Sequence, residues 1–101
     1  MIKMINTKSL RVVVRTPYRV VLGACASQFL IRDGRGEWLI HHDTPAMLGA
    51  IGPGEIVLRK HDGRDVVMTV GSGTVAVIDG EVRCIVTSAH VGYGTAIPLA
   101  V

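Results

Sequence analysis

The feature that most constrains this chain is apolar and polar residues alternating at every second position, cut at short intervals by Asp-Gly and Gly-rich steps. In the second half the segments EIVLRK, HDGR, DVVMTV, GSG, TVAVID and GEVRCIVTSA follow one another. Successive side chains of an extended chain point to opposite faces, so a period of two marks strands with one buried face. Asp62-Gly63 and Asp79-Gly80 each lie between β-branched runs. A tight reversal there needs φ > 0, which glycine adopts without strain, so both predict hairpins. No window carries apolar residues at helical spacing against a polar opposite face. The reading is an all-β chain, a meander of short antiparallel strands.

The first half agrees. LRVVVRTP sets Leu10, Val12 and Val14 on one face, and Pro17, which cannot donate to a ladder, ends it. RVVLGACASQFLIRDG follows, with Gly23 expected as a bulge or bend. Strand character returns in EWLIH after the turn RDGRG. Strands buried on one face must set those faces against a second sheet. A flattened antiparallel β-sandwich or barrel is therefore expected, as a single domain over residues 9–90, with an N-terminal extension at 1–8 and an uncharged tail at 91–101.

With 49% hydrophobic and 19% charged residues the chain lies in the globular range. Its net charge of +3 comes from scattered basic residues, with no run to track a phosphate backbone, and four aromatics offer few stacking platforms. Nucleic acid is not an expected partner. MIKMINTKSLRVVVR lacks the apolar core of a secretory signal, and the charge-free runs VVLGACASQFLI and HVGYGTAIPLAV fall short of the ~20 residues of a spanning helix, so a chain soluble by itself is expected. Cys25 and Cys84 lie in strand-like runs and read first as small buried hydrophobes, with a disulfide or a reactive thiol as the other options.

The stretch EWLIHHDTPAMLGAIGPGE concentrates the candidates for chemistry. A metal reading of His41-His42-Asp43 meets the objection that neighbours on an extended strand face opposite ways. An acid–base reading lacks a paired carboxylate, a nucleophile elbow or a Cys/His signature. GRGEW and GSGTV lead into strands, whereas a phosphate loop leads into a helix. Trp38 reads as a core or rim residue ahead of a binding hot spot. No catalytic residue, metal or cofactor is predicted, and the residues alone leave open whether HHDTP is a turn shaped to meet another protein.

In order, LRVVVRTPYRVV, GRGEWLI, TPAMLGAIGPGEIVLR, VGSGTVAV and GEVRCIVTSA resemble the N-terminal β-sandwich domain of the epsilon subunit of F-type ATP synthases. The matches are Thr16-Pro17, Gly36-Glu37, Pro45-Ala46-Met47-Leu48 with Ile51, Gly54-Glu55-Ile56, Gly71 and Gly73, and Ile85-Val86-Thr87 with Ala89. Two departures stand out. HHD replaces the family's Pro-Gly-His turn, and HVGYGTAIPLAV stands where the family commonly continues into a charged helical hairpin, which suggests a short form limited to its sandwich.

The resemblance implies a non-catalytic subunit of the rotating central stalk, which joins the gamma subunit to the membrane c-ring and so couples ion flow to ATP chemistry. His41, His42, Asp43, Thr44 and Pro45 become gamma-facing candidates. Glu37 becomes a c-ring-facing candidate, or else a solvated loop carboxylate. Membrane association would be indirect, at the cytoplasmic face of the cell membrane as part of the complex. The competing expectation is a free-standing β-sandwich binding or adaptor module.

Overall fold

The structure is a computed structural model and describes residues 9–91; the expected N-terminal extension and all but the first residue of the expected tail lie outside that range. Ten strands make up the described chain: β1 Leu10–Arg15, β2 Val20–Ala26, β3 Gln28–Asp33, β4 Gly36–Ile40, β5 Met47–Ile51, β6 Gly54–Arg59, β7 Asp65–Val70, β8 Gly73–Ile78, β9 Glu81–Val86 and β10 Ala89–Val91. They form two five-stranded sheets, ordered β2-β1-β9-β8-β5 and β10-β7-β6-β3-β4. This is the β-sandwich that the alternation demands.

The chain changes sheet after every strand or pair of strands. It crosses at Ser27, between β4 and β5, at Gly52-Pro53, at Gly71-Ser72 and at Thr87-Ser88. The long run RVVLGACASQFLIRDG is thus two strands in two sheets. Ser27 turns the corner, its N–H and Oγ–H both donating to Arg59 O at 2.8 and 3.0 Å. MLGAI, unassigned from the sequence, is β5. The pairing is antiparallel except where β1 lies parallel to β9, a contact no local meander makes.

The buried set follows the alternation. Leu10, Val12 and Val14 share the inner face of their sheet with Val75, Val77, Val82 and Val86 and join one core with Phe29, Ile31, Ile56, Leu58 and Met68 of the other, all at most 2% exposed. Removing this much apolar surface from water is the main stabilising term, at about 25 cal/mol per Å².

Both predicted hairpins are present. Asp79 and Gly80 have φ of 48° and 76° and connect Ile78 to its partner Glu81, the two-residue reversal whose twist matches the strands. Gly63, at φ 90°, closes the β6–β7 reversal with its N–H on Lys60 O at 2.9 Å. Gly23 is no bulge, since it pairs in register with Val13; the irregularity lies between Val14 and Arg15, where β2 carries the extra residue Val21. Cys25 also departs from expectation: it points outward and is exposed, while Cys84 is buried. The two thiols lie on opposite faces of one sheet, which excludes a disulfide in this fold.

Candidate functional site

β4 is the edge strand of the second sheet, and its two ends separate the candidate residues. Glu37 lies at the end where β3 turns into β4, the end that also carries Gly52-Pro53, Gly71-Ser72 and Thr87-Ser88. His41 to Pro45 leave the opposite end, which shares the Ser27 corner and both Asp-Gly hairpins. Four extended residues, about 13 Å, separate Glu37 from His41.

The segment from His41 onward is a turn, because β4 stops at Ile40. Thr44 N–H donates to His41 O at 2.9 Å, and Thr44 Oγ1 accepts the His41 N–H at 2.9 Å. Pro45 then forces extended chain, which ends the turn and leads into β5. Neighbouring side chains face opposite ways only on a strand, and His41 and His42 lie beyond the end of β4. Here the ring centroids are 5.9 Å apart, His42 Nε2 is 3.3 Å from Asp43 Oδ1, and one donor atom from each of His41, His42 and Asp43 lies within 4.8 Å of the others. His61 and His90 stand elsewhere, the first against Ser9 Oγ at 2.8 Å and the second on β10 at the far edge of the sheet.

Glu37 is a strand residue, and its carboxylate takes Arg32 Nε at 3.0 Å; Arg32 also reaches Glu55 at 3.6 Å. These pairs are half exposed and add little stability. They form a rung of two acids and one base across β4, β3 and β6, with one negative charge left over.

Beside that rung is a feature the sequence reading passed over. Leu39, Leu30, Val57 and Val67 are direct cross-strand partners and form an apolar row on the outer face of the second sheet. Leu39 is 52% exposed and stands two residues before His41, so the row runs up to the turn. The signal was present in QFLIRD, EIVLRK and DVVMTV, which are apolar at successive positions and so cannot be wet on one face throughout. Trp38 faces inward at the edge and packs against the core near Gly49, with Arg35 over its ring at 5.7 Å, which is the rim role expected of it.

The ionisable groups with clear electrostatic perturbations serve structure. Asp33, 1% exposed at its side chain, accepts N–H from Gly52 and from Arg35, at 2.9 and 2.8 Å, and these hold its carboxyl below the ordinary range. Asp65 is lowered chiefly by its hydrogen bonds from Arg59, at 2.9 and 3.1 Å. Burial pushes the Cys84 thiol up to about 11, which keeps it protonated and inert. On the other sheet, Arg11, Arg15 and Arg83 share the outer face, Arg83 meeting Glu81 at 3.2 Å.

No protein-family model matches the sequence, and no curated protein matches it. Solved structures do match. A chain of the Euglena gracilis mitochondrial ATP synthase, in an OSCP/F1/c-ring assembly in rotational state 1, is similar with a TM-score of 0.74 and 16% identity over 82% of this chain and 53% of that one. A chain of the Tetrahymena thermophila mitochondrial ATP synthase central stalk and c-ring is similar with a TM-score of 0.63 and 23% identity over 80% of this chain and 65% of that one. This chain therefore spans between half and two-thirds of those chains, and at these identities what it shares with them is the fold of a β-sandwich that occurs in ATP synthase assemblies.

Proposed function

We propose that this chain is an epsilon-type, non-catalytic subunit of an F-type ATP synthase, seated in the rotating central stalk between gamma and the c-ring. The observation that carries the reading is a coincidence of two likenesses, one of motif order and one of fold. The ordered motifs resemble the epsilon sandwich over residues 9–90, and the fold is similar to chains of two ATP synthase assemblies over 82% and 80% of this chain.

The geometry suits the role. A coupling element must touch two partners at once and bend little between them. Each charge crossing a membrane releases about 2.3 kcal/mol per 100 mV, and several crossings must be delivered to one ATP without slip. Two hydrogen-bonded sheets around a dry core supply the stiffness. In this reading the His41–Pro45 turn and the apolar row ending at Leu39 meet gamma, while the acidic rung at Glu37 meets basic groups of the ring loops. A permanent interface of this kind buries roughly 2,000 Å² or more. Membrane association is indirect, through the complex, at the cytoplasmic face of the cell membrane.

The test is co-purification with recombinant gamma subunit, followed by size-exclusion chromatography at low and high salt. A stoichiometric complex that survives salt is the expected result. A lone monomer under both conditions overturns the stalk reading.

A further inference from the structure

We propose that His41, His42 and Asp43 bind a single divalent transition-metal ion, and that Zn²⁺ is the ion their chemistry fits best. The inference does not rest on the stalk reading. Two imidazoles and a carboxylate are borderline donors suited to Zn²⁺, whereas Mg²⁺ and Ca²⁺ prefer sites built from oxygen alone. Tetrahedral Zn²⁺ with bonds of 2.0–2.1 Å sets its ligand atoms about 3.3 Å apart. His42 Nε2 and Asp43 Oδ1 are already at 3.3 Å, and a donor of His41 lies within 4.8 Å of both. Binding then requires the His41 donor to move from within 4.8 Å to about 3.3 Å of the other two.

The turn carries its own backbone bonds. The two Thr44–His41 hydrogen bonds fix the backbone from which all three side chains spring, so binding need not fold the loop. The Asp43 N–H to His41 Nδ1 contact is long, at 3.3 Å, and solvent-exposed, so it gives way at little cost whichever ring nitrogen binds. Asp43 is exposed and the histidines half-buried, which leaves the fourth position open to water or to a donor from another molecule.

The test is isothermal titration of ZnCl₂ into the purified chain, with backbone amide NMR to locate the ion. The expected result is one equivalent bound, shifts centred on His41 to Thr44, and reversal by a chelator. His42→Ala should weaken binding by roughly tenfold or more, since it removes one of three protein ligands, and Asp43→Asn should also weaken it. The double variant His61→Ala/His90→Ala should bind as the parent does, because those histidines lie outside the turn. Absence of any Zn²⁺-induced amide shift at His41 to Thr44 in the folded parent chain overturns the proposal. So does Zn²⁺ binding that His42→Ala leaves unchanged.

Discussion

Asp33 Oδ2 accepts the backbone N–H of Gly52 at 2.9 Å, so a carboxylate on β3 of one sheet holds the crossing that arrives from β5 of the other. Its pKa is lowered first by this bond and then by the Arg35 N–H. A carboxyl whose folded pKa is depressed contributes stability that is present above its unfolded pKa, about 3.9, and is lost as pH falls through the folded value. Asp62 and Asp65 are shifted the same way and add to the effect. Thermal melts should therefore show the parent losing stability below about pH 4. Asp33→Asn should start lower at neutral pH and lose less over that acid interval. Parallel curves for the two proteins would show that Asp33 is not a titrating clamp.

Gly54 and Gly73 open β6 and β8 at equivalent crossings, and neither has room for a side chain. A Cβ on Gly54 would overlap Arg32 O, and one on Gly73 would overlap Ile85 O, backbone atoms fixed by the ladders on either side. Gly54→Ala and Gly73→Ala should each lower stability by about 1–3 kcal/mol, the range of overpacking in a close-packed interior. Gly34→Ala, where nothing lies within 4 Å, is the control and should be near neutral. Urea denaturation measures all three, and equal midpoints for Gly54→Ala and Gly34→Ala would refute the steric account.

These glycines mark the limit of what the sequence discloses. Leu10, Val12 and Val14 announce their buried face through spacing alone, and Asp79-Gly80 announces its hairpin through the φ it needs. Which strand leaves for the other sheet depends on close approaches such as Gly54 to Arg32, which involve residues far apart in sequence. The parallel β1–β9 pair is hidden for the same reason. At the candidate site the residue types were legible in HHDTP, but their common side was not, because where β4 stops is decided by Thr44 bonding back to His41 and by Pro45 after it.

The two cysteines give a chemical readout of the first sheet's polarity. Cys25 is exposed, while Cys84 is buried with its thiol pushed up to about 11. Thiolate is the reacting form, so a thiol-reactive reagent at mildly alkaline pH should label the native protein once, at Cys25, and the denatured protein at both sites. Peptide mass spectrometry assigns the adduct. Labelling of native Cys84 at a comparable rate would contradict the packing of β9.

Leu39 ends the apolar row and is already 52% exposed, so Leu39→Asp should leave the circular dichroism spectrum and melting temperature near those of the parent. If the row and the adjoining turn meet gamma, the same change places a carboxylate in the contact and should weaken the complex by about tenfold or more, as truncation of buried anchors commonly does. An unchanged complex would exclude the row and turn from the proposed gamma contact.

Glu37→Lys tests the other end of β4. The parent rung holds Arg32 between Glu37 and Glu55; the substitution puts two bases side by side and turns one excess negative charge into one excess positive charge. Exposed pairs contribute roughly 0–1 kcal/mol, so folding should change little. If Glu37 faces basic ring loops, as proposed, that docking should weaken, and most strongly at low salt, where the Debye length is longest and the reversed charge is felt at greatest range. Measuring c-ring binding of gamma-loaded parent and variant at about 20 mM and about 300 mM salt separates the possibilities. A loss that shrinks at high salt supports an electrostatic contact at Glu37, whereas equal binding at both salt levels leaves Glu37 as a solvated strand carboxylate and points to a different ring-facing surface.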